Sequence, residues 1–483
     1  MHKRLFLFLL GRIALLNGMM LIIPFLYSFF WQEEGYIYFG PSILIALGIG
    51  GLLSYAGRRH KRQMSAVEGA WYMVLVWLLL GIIGMLPYML SGWLGGVDAF
   101  FESISAFTTT GISCISQKDA LLPPSLLLWR SMMAWTGGLN FILLLVTVVP
   151  LVSGSFGLTL SVHQSVRFSP IVSRMQNAAR QTGKMYAIIT TVSIVLYSMA
   201  GLPLVDACMK ALMTVSTSGG DAVFDFAQQN SLPMELAGMA SMILASGNFL
   251  LYWKGVERRE FRTIFADTEL RVFLVILAGM GALVSFHLWH MGVYDGLDSL
   301  RYGFFQVVSF CSTSGFLNTM VENWPEFDKF ALFILVFVGG CIGSAAGGMR
   351  VMRFIVLFKI AKQEMRRTLH PRMVISLKIN SVPVDMKIVS RVLSYFFLFM
   401  AVFFVSTIII SLSGLEPMQA MGVAVGCLSS TGATASLFGI TDFSLMPAWV
   451  KMYCALLMIL GRLEIFSFLI ILQTGLQYMY RRW

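Results

Sequence analysis

Four short segments of the chain combine glycine with hydroxyl-bearing residues in a pattern suited to binding a dehydrated cation. Each is a tetrapeptide with glycine in third position after two threonine or serine residues. The four glycines are separated by 108, 96 and 117 residues, a recurrence that indicates four equivalent structural units. The tetrapeptides are Thr109-Thr110-Gly111-Ile112, Thr217-Ser218-Gly219-Gly220, Thr313-Ser314-Gly315-Phe316 and Ser430-Thr431-Gly432-Ala433.

Backbone carbonyl groups can replace the water shell of an alkali cation if an extended chain directs them inward. Glycine allows the required backbone angles and a close approach to the ion. Small residues also occur where membrane helices pack closely, and at any one tetrapeptide packing explains the glycine equally well. Their recurrence at the same place in four units favours a cation-binding filter.

An acidic residue precedes each filter glycine by about 13 to 17 residues, which predicts a short helix whose first turn carries a negative charge. The carbonyl groups at the other end of such a helix would point towards the filter and favour positive charge there. The acidic residues are Asp98, Asp206, Asp298 and Glu416.

Long apolar segments position these elements. Of the 483 residues, 57% are hydrophobic and 12% are charged, too apolar a composition for a soluble chain of this length. Runs of about 20 apolar residues can each cross a bilayer as a helix, and we predict about ten such spans. They comprise an N-terminal pair at 5–30 and 41–57 and four further pairs at 70–92 and 126–152, 185–204 and 234–253, 271–290 and 328–360, and 390–412 and 448–475.

The distribution of basic residues predicts the orientation. The net charge is +11, but the basic residues form blocks between apolar runs, as in cytoplasmic loops, and this pattern argues against nucleic-acid binding. With both termini in the cytoplasm, roughly 28 of the 35 Lys and Arg residues fall on the inner side. The first apolar run lacks a clear cleavage site, so we expect a retained helix and not a signal peptide. All four tetrapeptides then lie in re-entrant loops on the outer side.

Together with the tetrapeptides, further motifs resemble the Trk/Ktr/HKT superfamily of cation transporters, and within it the Trk-type potassium uptake membrane subunits. The resemblance covers nearly the whole chain. The motifs are Phe100-Phe101-Glu102-Ser103, Ile342-Gly343-Ser344-Ala345-Ala346-Gly347-Gly348, Leu369-His370-Pro371 and Leu460-Gly461-Arg462-Leu463-Glu464-Ile465-Phe466.

The resemblance implies an all-α polytopic fold, with two N-terminal helices and four M1–P–M2 units around a pseudo-fourfold pore in the bacterial inner membrane. The N-terminal pair would occupy 1–66 and the four units 67–160, 161–262, 263–375 (with an interrupted second helix) and 376–483. Because all four filter positions carry glycine, the resemblance favours K⁺ as the ion bound and transported. The second filter segment departs from the family pattern by continuing as Gly219-Gly220-Asp221.

The resemblance also implies a homodimer and a cytosolic nucleotide-binding ring of the RCK type that controls gating. The chain has no G-x-G-x-x-G fingerprint, so we expect no bound organic cofactor and attribute any nucleotide response to that ring.

Three features are candidates for the gate. The glycine-rich run Gly343-Ser344-Ala345-Ala346-Gly347-Gly348 has low helix propensity and must face protein or a water-filled cavity. Arg462 stands out as a basic residue deep in a span, where it either forms a barrier below the filter or pairs with Glu464. Asn248 either lines the same cavity or makes an interhelical hydrogen bond.

Two other functions compete with a channel-like pore. A secondary transporter of another solute would also contain broken helices near the midplane, although its repeats are commonly inverted. An enzyme would need acids, histidines or cysteines clustered near a membrane face, and the sequence shows no such cluster.

Overall fold

The computed structural model describes residues 3–58, 66–115, 122–147, 171–219, 226–369, 378–380, 382–383 and 386–463. Within these ranges the protein is helical, apart from a two-residue antiparallel pair formed by β1 (Lys378–Ile379) and β2 (Val382–Pro383). It is an all-helical membrane protein.

The N-terminal region contains three helices, α1 (Lys3–Met20), α2 (Ile22–Phe30) and α3 (Tyr36–Ala56). Helices α1 and α2 together form one candidate span over Arg4–Phe30. Helices α1 and α3 approach closely because glycines occupy their contact: a Cβ on Gly11 would overlap Ser54, and one on Gly57 would overlap the backbone of Phe8. Small residues at such a crossing allow van der Waals packing without a side chain between the backbones.

The remaining helices follow the predicted alternation of long and short elements. The first half of the chain contributes α4 (Ala66–Leu90), α5 (Gly96–Phe107), α6 (Pro124–Thr147), α7 (Ile171–Met199), α8 (Leu204–Val215), α9 (Phe226–Gln229), α10 (Leu232–Ser246), α11 (Phe249–Arg258) and α12 (Phe261–Ala266). The second half contributes α13 (Thr268–His290), α14 (Gly296–Cys311), α15 (Glu326–Val338), α16 (Val351–Leu369), α17 (Met386–Ser411), α18 (Pro417–Ser429) and α19 (Ala448–Arg462), with 3₁₀ turns at Val321–Asn323, Gly432–Thr434 and Ser436–Phe438.

Four of the short helices, α5, α8, α14 and α18, each end at a filter tetrapeptide. The first three carry Asp98, Asp206 and Asp298 in their first turn. Glu416 is the N-cap of α18 and forms a capping box with Gln419. The predicted short helices with acidic starts are therefore present, and we refer to them as the pore helices.

The prediction of one continuous helix over 234–253 was wrong. The chain bends by 94° between α10 and α11. Gly247 adopts an extended conformation at this point, and a Cβ there would overlap the Tyr252 ring. Asn248 then caps α11, its amide oxygen accepting a hydrogen bond from Leu251 N at 3.2 Å. A second break separates α15 from α16, and the glycine-rich run lies within it. We call residues 339–350 the intramembrane loop.

Among the described residues, five helices are long and apolar enough to span a membrane, or six if the bent α10–α11 pair is one span. The sequence predicted about ten. Of the other predicted spans, 234–253 and 328–360 are each broken, between α10 and α11 and between α15 and α16. The predicted spans 126–152 and 448–475 lie only partly within the described residues. The span 185–204 lies in α7, an unbroken helix that is not among the five. The five spans are only 28–56% buried within the protein, so much of their apolar surface faces outward, as lipid contact requires.

Candidate functional site

Each pore helix is followed by a residue in the left-handed conformation, and none of the four is glycine. The φ angles are 53° at Thr109, 57° at Thr217, 58° at Thr313 and 56° at Ser430. This conformation is strained for a residue with a side chain, and for β-branched threonine above all. Its recurrence at the same point in all four segments indicates a backbone shape that the surrounding structure imposes.

The first three filter segments lie side by side. A Cβ added to Gly111 would overlap the carbonyl oxygen of Gly219. One added to Gly219 would overlap Ser314 O and lie 2.6 Å from Gly315 C. Any side chain at Gly111 or Gly219 would therefore displace the backbone of the next segment.

The fourth segment closes the ring. A Cβ on Gly315 would lie 3.4 Å from the Ala433 side chain, and one on Gly432 would lie 2.8 Å from Ile112 N. The Gly432 amide also donates a hydrogen bond to Thr110 O at 2.7 Å. The segments thus contact one another in the order first, second, third, fourth and first again, around one axis.

Hydroxyl groups brace two of the segments from behind. Ser105 of α5 donates to Ile112 O at 2.5 Å, and Ser309 of α14 donates to Phe316 O at 2.6 Å. These carbonyl groups, which follow the filter glycines, are bonded to the pore helices, a role that the sequence did not predict. In the second segment, Gly220 lies outside the described residues, as does Asp221.

The intramembrane loop is attached to the end of α10 and to α13. Cys341 N donates to Ser246 O at 2.8 Å, and Ala345 N donates to Ala245 O at 3.3 Å. Glu269, which is 2% exposed, accepts from Ile342 N at 2.8 Å and, beyond the loop, from Met352 N at 3.2 Å. Sequence reasoning missed Glu269, because its partners lie more than 70 residues further along the chain.

The same loop contacts the inner ends of three filter segments. Thr217 Oγ1 donates to Ala345 O at 3.3 Å, and Gly347 N donates to Thr313 Oγ1 at 2.7 Å. A Cβ on Gly347 would overlap Ser429 O, at the end of the fourth pore helix. Ser344 and Ala346 are also buried in this loop, and Gly348 is half-buried.

Arg462 connects the first filter segment to the loop. Its Nε donates to Thr108 O at 2.7 Å, its Nη1 to Ala345 O at 2.9 Å, and its Nη2 to Thr109 Oγ1. The guanidinium lies 4.5 Å from the centre of the Phe141 ring, and the residue is 4% exposed. Its alternative partner, Glu464, lies outside the described residues, as do His370 and Pro371.

Asn248 lies beside the same loop. A Cβ on Gly343 would be 3.2 Å from its Oδ1, and the neighbouring Phe249 N donates to Gly343 O at 3.3 Å. Its role as the cap of α11 is not evident from the sequence.

Several basic residues besides Arg462 are buried. Arg130 and Lys451 are 1% and 4% exposed and pair with Glu102 and Asp98, both at 2.6 Å. Arg353, at the start of α16, is also buried and stacks over Tyr395 at 3.7 Å. Counting charges by side of the membrane gives no information on depth. The position of Arg130, seven residues into an apolar helix, was the available signal.

The family model described as "TrkH: Cation transport protein" matches residues 39–476. The Trk system potassium uptake protein TrkH of Halomonas elongata is 30% identical over 478 residues, covering 98% of both chains. The Trk system potassium uptake protein TrkG of Escherichia coli is 30% identical over 487 residues, covering 97% of this chain and 98% of the relative. The crystal structure of the potassium transporter TrkH from Vibrio parahaemolyticus superposes with a TM-score of 0.89 at 26% identity, covering 98% of this chain and 99% of that one.

Proposed function

The chain belongs to the TrkH family of cation transport proteins, and from this premise we propose that it is the pore-forming subunit of a Trk-type potassium uptake system. The observation that carries the proposal is the closed ring of four filter segments. In this proposal the fold is two N-terminal helices followed by four M1–P–M2 units around a pseudo-fourfold pore, in the bacterial inner membrane with both termini in the cytoplasm.

Potassium binds where carbonyl groups of the four segments replace its water shell. The hydrogen bonds from Ser105 and Ser309 behind the first and third segments support this role, because they fix strands that would otherwise collapse or splay. The C-terminal ends of the pore helices point at the filter and add a favourable potential for a cation. Rb⁺ and Na⁺ are minor permeant ions in this proposal.

Inward movement of the ion requires no chemical reaction. A membrane potential supplies about 2.3 kcal/mol per elementary charge for each 100 mV, which drives a cation through an open path. Glu102 and Glu269 are buried, but Glu102 pairs with Arg130 and Glu269 accepts from Ile342 N. The two carboxyl groups do not bond to each other, so they do not form a proton relay. Uptake through a channel-like path is therefore sufficient for the proposed function.

The intramembrane loop and Arg462 form the gate below the filter. The hydrogen bonds of Ala345 and Gly347 to two filter segments hold the loop across the inner end of the path. The Arg462 guanidinium adds a positive charge beside it, which repels a passing cation. The loop continues directly into α16, whose last turn carries Arg366 and Arg367. A cytosolic ring that pulls on α16 would move the loop.

This regulator would be the RCK-type nucleotide-binding ring implied by the family resemblance, acting on a homodimer with one pore in each subunit. A secondary transporter of another solute is the second candidate, because the breaks at α10–α11 and α15–α16 resemble the interrupted helices of such proteins. Uptake of potassium but not of sugars or amino acids by the same vesicles would separate the two.

The test is growth of an uptake-deficient bacterium in potassium-limited medium. The wild-type chain should restore growth, whereas Gly315→Ser should not, because φ at Gly315 is 70°, a backbone conformation that residues with a side chain rarely adopt. Gly279→Ser is the matched control, since Gly279 lies in a candidate span with no atom near its Cβ position. Failure of the membrane-inserted wild-type chain to restore growth would refute the proposal.

A further inference from the structure

A buried ion pair lies directly behind the first filter segment. Glu102 on the pore helix α5 and Arg130 on α6 approach to 2.6 Å, with side chains 0% and 2% exposed. The same carboxylate accepts a hydrogen bond from Cys114 N at 2.9 Å and one from Ser113 Oγ at 3.1 Å. Glu102 therefore ties three elements together: the pore helix, the following long helix and the chain that leaves the filter.

The corresponding position differs in each of the four units. The residues nine positions before the filter glycines are Glu102, Lys210, Gln306 and Val423. Gln306 donates to the Asn318 side chain at 2.8 Å, and Lys210 donates to the Gln229 side chain at 3.0 Å. Among these described contacts, only the one in the first unit reaches a backbone amide just after the filter, where Cys114 N donates to the Glu102 carboxylate.

The ion pair is better explained as a means of positioning the first filter segment than as a source of stability for the fold. Removing two charges from water costs much of what their attraction returns, so a buried pair is weak evidence for stabilisation of a fold. A carboxylate that accepts from a backbone amide gives a stronger and more directional bond than a neutral acceptor. With Arg130 fixing one oxygen, the other is held at Cys114 N.

The bonds of the first segment constrain both sides of Ser113. Ser105 holds Ile112 O on the filter side, and Glu102 holds Cys114 N on the other. The segment so fixed touches its neighbours on both sides, through Gly111 and Ile112, so a shift in it would reach the second and fourth segments.

We propose that the Glu102–Arg130 pair is a positioning device for the first filter segment and that it sets the discrimination between K⁺ and Na⁺. The proposal rests on the proposed potassium function. A filter whose carbonyl groups can move inward accommodates the smaller Na⁺, so loosening this segment lowers selectivity without closing the path.

The test uses purified full-length protein in liposomes and measures the ratio of K⁺ to Na⁺ permeability. Glu102→Gln keeps the shape of the side chain but removes its charge, and we expect the ratio to fall about tenfold, as for loss of one hydrogen bond to a charged group. Ser113→Ala removes one donor and leaves the ion pair, and a smaller fall is expected. Ser103→Ala, one residue from Glu102 on the same pore helix, is the control and should keep the wild-type ratio.

A second readout does not depend on transport. Cys114 is 3% exposed, and a water-soluble maleimide should label it slowly in wild type and faster in Glu102→Gln, as followed by peptide mass spectrometry. Cys311 and Cys427, both 0% exposed, should stay unlabelled in every variant.

Four outcomes decide the matter. Faster labelling of Cys114 alone, with a lower permeability ratio, supports the positioning role. An unchanged ratio with Cys114 still protected overturns it. Labelling of Cys311 and Cys427 as well shows that the pair merely maintains the fold, and also overturns it. If both wild-type and Arg462→Gln liposomes pass no potassium, the proposed function fails, and protection of Cys114 in Glu102→Gln would then overturn the positioning role separately.

Discussion

Replacing Arg462 with glutamine should open the proposed gate. The substitution removes the positive charge below the filter and the hydrogen bond from Nη1 to Ala345 O at 2.9 Å. A hydrogen bond to a charged group contributes about 1.5–3 kcal/mol. If that contribution favours only the closed position of the loop, its loss raises the ratio of open to closed pores by about 10-fold to 150-fold.

The assay is rubidium uptake into potassium-loaded liposomes without any regulatory partner. Arg462→Gln should raise the initial rate by at least about tenfold, the lower bound of that estimate. Arg462→Lys retains the charge but lacks the planar guanidinium that makes several hydrogen bonds. Its rate of rubidium uptake should therefore lie between those of wild type and Arg462→Gln. Arg12→Gln, at an exposed position of α1, is the matched control and should behave as wild type. An unchanged rate in Arg462→Gln, with the protein folded and inserted, would refute the barrier role.

Two further substitutions test the filter and the loop. Gly219→Ala should abolish potassium flux, because its Cβ would overlap Ser314 O. Gly279→Ala, where no atom lies near the added Cβ, is the control and should retain flux. Equal flux in the two variants would contradict the close approach of the filter segments. Glu269→Leu should raise the resting leak several-fold, because it removes the acceptor of Ile342 N at the start of the loop. Glu257→Leu, at an exposed position of α11, is the control, and a leak equal to that of the control would argue against this tether.

The recurrence of glycine marked the four segments that the structure brings into contact, for a physical reason. Four segments that contact one another around one axis leave little room for side chains at the contact, and the three glycines at 111, 219 and 432 would clash if they carried a Cβ. The acidic starts of the pore helices were predictable in the same way, because a helix dipole acts within one turn.

Contacts between distant residues were not predictable. The Glu102–Arg130 pair and the bonds of Glu269 join residues on different helices. The position of Arg130 in an apolar helix marks it as unusual, but no spacing in the sequence identifies the partner of either residue. The bend at Gly247 was hidden for another reason: the mean hydropathy of the α10 and α11 segments together is high enough for a span, and it predicts one helix across Ser246-Gly247-Asn248.

The proposed gate and the inner end of the filter share the same atoms. Three of the four left-handed filter residues use their hydroxyl groups to bind the loop or Arg462. The pairs are Thr109 with Arg462, Thr217 with Ala345, and Thr313 with Gly347. Withdrawing the loop would release these oxygens at the point where a cation leaves the filter, and oxygens are the ligands that such a cation needs. Opening the path and completing its innermost cation site are therefore one event in this geometry, and substitutions that weaken the gate should also alter ion selectivity.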